Sequence, residues 1–118
     1  MKNSVWKIFG IYLLLLVCIL FSQQSFGQVT VVQYNANWND ANKVTWLKKL
    51  SDVDKVKDVC IAEDPKAQQK HEIVVVPTII IFKDGEEVKR YQADISFTMK
   101  ATREEIQEFI DELIMSDF

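Results

Sequence analysis

The chain has little of what most neutral-pH catalysis uses. Its 118 residues include two cysteines, Cys18 and Cys60, and one histidine, His71. One of those cysteines sits in an N-terminal apolar run that reads as a leader. A processed chain would therefore keep Cys60 alone and could close no internal disulfide. A single cysteine with a single histidine also cannot assemble a Cys/His metal site, so neither a metal nor a cofactor is expected. A basic cluster is missing as well. Fourteen Lys and Arg stand against seventeen Asp and Glu, a formal net charge of −3. That balance argues against nucleic acid or an anionic membrane surface as partner. Repeats and low-complexity linkers are absent too, and the length suits one domain.

What is present begins with a targeting pattern. Lys2 and Lys7 precede an apolar run from Ile8 to Phe21, broken only by Gly10. Polar Ser22, Gln23 and Gln24 follow, and Ser25 and Gly27 put small residues before a cut at Gln28. This is the layout of a secretory signal peptide over 1–27, and the run is shorter than the ~20 residues a spanning helix needs. Cys18 follows Leu16 and Val17, a poor setting for lipid attachment. The expected exported domain, 28–118, loses two lysines and becomes more acidic. It should be periplasmic or secreted, with no membrane contact after cleavage.

Along that domain, Val29 to Tyr34 reads as a buried strand. A helix is expected from Asn39 or Asp40, both good caps, with Val44, Leu47 and Leu50 on its apolar face. Val56 to Ala62 reads as a second strand. Asp64-Pro65 opens a short helix to Lys70. Thr78 to Phe82 is a central strand, Asp84-Gly85 a hairpin turn, and Val88 to Gln92 the returning strand. Thr102 and Glu105 fit a capping box before Ile106, Phe109, Ile110, Leu113 and Ile114 at helical spacing. The order β-α-β-α-β-β-α predicts a mixed four-stranded α/β sheet with helices on both faces, its first two strands parallel and its last two antiparallel.

Two stretches and the last helix, in this order, resemble the thioredoxin family. Val31-Val32-Gln33-Tyr34-Asn35-Ala36-Asn37-Trp38-Asn39-Asp40-Ala41-Asn42-Lys43 is similar to the family's strand, tryptophan and Cys-x-x-Cys-Lys stretch. Val76-Pro77-Thr78-Ile79-Ile80-Ile81-Phe82-Lys83-Asp84-Gly85-Glu86 is similar to its cis-proline loop, central strand and hairpin. The resemblance implies a minimal thioredoxin-like fold and a cis bond before Pro77. It places Asn39 and Asn42 at the family's two cysteine positions. An amide is no nucleophile toward sulfur, whereas exchange requires a thiolate. Gln33 falls where the family has a buried acid, and Asp40-Ala41 replaces Gly-Pro, while Trp38, Lys43 and Pro77 are kept. The implied scaffold remains and the implied dithiol reaction does not, so no catalytic residue is expected.

Three functions are compatible with these residues. The first is a binding module for extended or partly unfolded polypeptide at Trp38, Asn39, Val76 and Pro77, where the resemblance implies backbone free for an added strand. Each residue also has a plainer role: Asn39 as a helix cap, Asn42 as a first-turn polar residue, Trp38 as a lid on the helix start, Lys43 as a solvated charge. The second is a thiol-disulfide oxidoreductase using Cys60 with a partner's thiol. Against it, a strand cysteine is usually a small buried hydrophobe, and the family's layout puts this one far from the Asn39 loop. The third is a structural subunit. Ala93, Ile95, Phe97, Met99 and Ala101 alternate with polar residues at strand period, so the 94–100 strip is expected to cover the core or to pair two copies as an edge strand.

Overall fold

The structure, a computed structural model, describes residues 27–116. The expected leader, but for Gly27, lies outside the described residues, as does Cys18. Among the described residues no helix is long and apolar enough to cross a membrane.

Runs of β-branched residues make the two central strands. β1 (Val29–Asn35) and β3 (Thr78–Lys83) pair antiparallel, Val31 opposite Ile81 and Gln33 opposite Ile79. Both are almost wholly buried, which accounts for near-continuous apolar sequence in place of clean alternation. β2 (Lys55–Cys60) adds parallel to β1, and β4 (Glu86–Gln92) adds antiparallel to β3, giving the order β2-β1-β3-β4. The two outer strands carry most of the charge: Lys55, Lys57 and Asp58 on one, Glu86, Glu87, Lys89 and Arg90 on the other, a composition that discourages edge-to-edge pairing. The hairpin turns at Asp84 and Gly85, with φ of 52° and 85°. Two successive left-handed residues suit the right-handed twist of the flanking strands, and Gly pays no steric cost there. Expected strand ends differ from the observed ones by one or two residues.

The two sheet faces are covered separately. On one, Val29, Val31, Ile79 and Ile81 meet Ile106 and Ile110 of helix α2 (Arg103–Met115), together with Val44, Leu47 and Leu50. On the other, Val32, Tyr34 and Ile80 meet Ile73, Val76 and, from helix α1 (Pro65–Lys70), Ala67. Helices thus lie on both faces, as expected. Both caps are the expected ones. The Asp64 carboxylate accepts from the Ala67 N–H at 3.1 Å. Thr102 and Glu105 exchange their reciprocal bonds, at 3.2 and 3.4 Å.

Two expected elements are not there. No continuous helix runs from Asn39 to Leu50: the chain makes a 3-10 turn over Asn37–Asn42 and another over Leu47–Lys49. The physical reason is Gln33. Its buried carboxamide accepts from the Val44 N–H at 2.7 Å and donates to the Val44 carbonyl at 3.0 Å. Both backbone groups that a helix would need at Val44 are taken, and Lys43 stays extended at φ −62°, ψ 136°. The β-branched Val44 and Thr45 add little helix preference to oppose this.

The second failure is the 94–100 strip, which is no strand. β4 stops at Gln92 and the chain turns through residues 95–97. Local side-chain bonds win: the Asp94 carboxylate accepts from the Ser96 N–H at 2.9 Å, from the Ser96 hydroxyl and from the Thr98 hydroxyl at 3.4 Å. Such bonds offer backbone an alternative to a sheet ladder. Ala93 is buried, and Met99 and Ala101 pack on the core, so the ends of the strip do cover it. Ile95 is 96% exposed. A second copy has no edge strand to pair with in this stretch.

Candidate functional site

The carboxyl end of β1 delivers Asn35 and Ala36 to the turn that carries Trp38, Asn39 and Asn42. Asn39 is no helix cap. Ala36 holds that position without a side-chain bond, and Asn39 lies inside the turn at φ −110°, ψ 19°. Its side chain points inward, and the residue is only 3% exposed.

Burial obliges that amide to find partners. Asn39 Nδ2 donates toward Asn35 Oδ1 at 3.1 Å, the Val76 carbonyl at 3.3 Å and the Phe97 carbonyl at 3.1 Å. Two hydrogens are therefore shared among three oxygens. Asn35 Nδ2 donates back to the Asn39 carbonyl at 3.2 Å, and Asn42 Nδ2 donates to Asn39 Oδ1 at 2.8 Å. One carboxamide thus joins three segments distant in sequence: the end of β1, the bend at Val76 and Pro77, and the 94–98 loop. The Val76–Pro77 bond is cis, the geometry the resemblance implied.

The four residues expected to form a binding surface are brought together, at different depths. Val76 is 3% exposed and Pro77 is fully buried, beneath Asn39 and the loop. Trp38 is 68% exposed. Its ring meets Phe97 edge-on, centroids 5.0 Å apart, an arrangement aromatic pairs favour. Sequence reasoning missed Asn35 and Phe97 as members. Asn35 carries no signal of its own. The spacing Asp94-x-Ser96-x-Thr98 was a turn signature that would have placed Phe97 on a loop.

Gln33 is fully occupied by Val44 and by Asp58 Oδ1, to which its Nε2 donates at 2.9 Å. Lys43 pairs with the same carboxylate at 3.3 Å. Cys60 is nearer the turn than expected, because the parallel register sets it beside Asn35. Its thiol, half-buried, donates to Asn37 Oδ1 at 3.4 Å at the edge of a hollow of about 170 Å³ that Lys43 and Asp58 also line. Among the described residues it is the one cysteine, and no three His, Cys, Asp or Glu side chains converge there as a metal cluster. The carboxylate next to the site, Asp94, is held at a pKa of about 2, down from 3.8, by the Ser96 hydroxyl and N–H and by Lys100, whose ammonium lies 3.4 Å away.

No family model matches the sequence, and no curated protein does. Solved structures do. A thioredoxin from Fasciola hepatica is 26% identical over 80% of this chain and 89% of that one, with a TM-score of 0.54. Schistosoma mansoni thioredoxin is 20% identical over 80% and 85%, TM-score 0.56. A malaria-parasite thioredoxin-2, described as a component of protein secretion machinery, is 17% identical over 73% and 84%, TM-score 0.59. The fold of this chain is thioredoxin-like.

Proposed function

We propose that this chain is an exported, redox-inert module that binds extended or partly unfolded polypeptide at the end of the sheet marked by Trp38. The observation that carries the reading is the use made of Asn39. Where the resemblance would put an attacking sulfur, a buried amide is committed to structural hydrogen bonds. It offers no nucleophile and no ionisable hydrogen. Above it Trp38 stands mostly in solvent. An exposed indole suits recognition of apolar side chains, since aromatic anchors bring large contact area. Val76 and Pro77 form the floor of this site.

Two measurements test the reading together. In an insulin-reduction assay the protein should give no turnover above the dithiothreitol background. A carboxymethylated, permanently unfolded protein should bind it and lose most of that binding on Trp38→Ala. Clear turnover, or equal binding by the variant, overturns the proposal.

One observation favours a second reading. Cys60 lies within hydrogen-bond reach of the Asn37–Asn42 turn and is only half-buried. A partner's disulfide reaching the hollow would meet Cys60 there, whose sulfur, its proton given up to solvent, would form a mixed disulfide and release the partner's second sulfur as thiolate. Capture of partners on non-reducing gels, abolished by Cys60→Ser, would favour this reading.

A further inference from the structure

We propose that the 94–98 loop is an internal occupant of the polypeptide site: a lid latched on Asn39 and Trp38, which an extended peptide bearing an aromatic side chain must displace. This rests on the binding reading above and adds its regulation and the kind of ligand it selects. Phe97 alone makes both contacts that such a peptide would make. Its carbonyl accepts from Asn39 Nδ2 at 3.1 Å, and its ring lies edge-on to Trp38 at 5.0 Å. The loop's own chain is thus the guide to ligand chemistry: a backbone carbonyl with an aromatic group one side chain away.

The loop's construction fits a detachable piece. Phe97 holds φ at 60°, a region that a bulky side chain occupies only when its surroundings force it. The turn is fastened to itself by Asp94 through Ser96, Thr98 and Lys100, so it can move as a unit. Its two ends are anchored elsewhere: the Ala93 N–H donates to the Pro77 carbonyl at 3.1 Å, and Met99 packs on the core. Between those anchors Ile95 and Phe97 stay exposed. Segments with few buried apolar contacts open most readily. The same Asn39 Nδ2 that the Phe97 carbonyl would leave also donates to the Val76 carbonyl at 3.3 Å, so the donor a peptide carbonyl would claim sits beside the bend at Val76 and Pro77.

The test uses the full chain and two surface variants, Asp94→Ala, which unfastens the turn, and Phe97→Ala, which removes the ring from Trp38. Hydrogen exchange of the buried Asn39 side-chain amide, followed by NMR, reads the opening. Titration with a Ser/Thr-rich synthetic peptide carrying one central phenylalanine, and with the same peptide carrying alanine there, reads binding. Each variant should exchange faster at the Asn39 side-chain amide and bind the phenylalanine peptide about tenfold more tightly, as expected when a competent state is more populated, with the alanine peptide weak throughout. Unchanged exchange in both variants overturns the lid. Faster exchange with unchanged affinity overturns the competition while leaving polypeptide binding standing. Faster exchange with no binding by any form overturns the binding reading, and the lid with it.

Discussion

Gln33 grips Val44 by both of its backbone groups: its carboxamide oxygen takes the Val44 N–H at 2.7 Å and its nitrogen donates to the Val44 carbonyl at 3.0 Å. One side chain, 1% exposed, thereby ends the 3-10 turn and docks the apolar Val44-to-Leu50 stretch on the sheet.

Gln33→Leu should cost about 3 kcal/mol in urea unfolding, since it leaves a buried donor and a buried acceptor unmet. Gln33→Glu keeps the acceptor and loses the donor, and burial raises the new carboxyl's pKa. Its penalty should be largest at neutral pH and shrink as the pH falls through that raised value, when the protonated acid can donate again. Melting curves of the variant and the native chain at about pH 7 and about pH 5 check the sign. A penalty independent of pH would contradict the geometry.

Trp38→Ala should separate binding from stability. A side chain this exposed contributes within about 0.5–1 kcal/mol to folding, yet it is the main aromatic of the proposed surface. Binding of a carboxymethylated unfolded protein should fall at least about tenfold, a typical cost of losing an aromatic anchor, while the melting temperature hardly moves.

Asp94 should keep its charge deep into acid. With a folded pKa of about 2 against an ordinary 3.8, its stabilising effect is complete above the ordinary value and is lost as the pH falls through about 2. Carboxyl NMR titration should find it ionised at pH 3, and the 94–98 amides should stay protected there. A midpoint near 3.8 would show that Ser96 and Lys100 do not hold it.

His71 should titrate low. Its ring lies 5.5 Å from that of Tyr34 and 5.3 Å from that of Phe82, and burial is the chief cause of the lowered pKa, followed by Lys70, with Glu87 opposing. The neutral ring is the one the fold accommodates. Stability from this residue is therefore complete above 6.5 and declines as the pH falls toward the lowered folded value. Imidazole NMR should place the midpoint below 6.5, and His71→Phe should flatten the loss of stability across that window.

How much of this was legible in the sequence depends on where each signal lies. Thr78-Ile79-Ile80-Ile81-Phe82 marks a buried strand by composition alone, and Thr102 with Glu105 marks a helix start through contacts three residues apart. Those elements, and the parallel and antiparallel pairings they imply, are as expected. The Asn39-to-Leu50 helix was not, because the group that breaks it at Val44 belongs to Gln33 on the preceding strand. The 94–100 strip misled through its alternation, which matched a strand while Asp94, Ser96 and Thr98 were already equipped to build a turn. The site was legible as a position and hidden as a state. Asn39 lay where the resemblance pointed, but its inward aim depends on Val76 and on Phe97, 37 and 58 residues away.

The Asn39 amide is oversubscribed, and that governs what parting with any one oxygen costs. A donor that serves three neighbours with two protons cannot give each of them a whole bond. If the Phe97 carbonyl withdraws, the proton it held in part is taken up more fully by Asn35 and Val76, and no buried polar atom is stranded. What the loop forfeits at Asn39 is therefore less than one ordinary hydrogen bond, and the edge-on contact with Trp38 carries part of its hold.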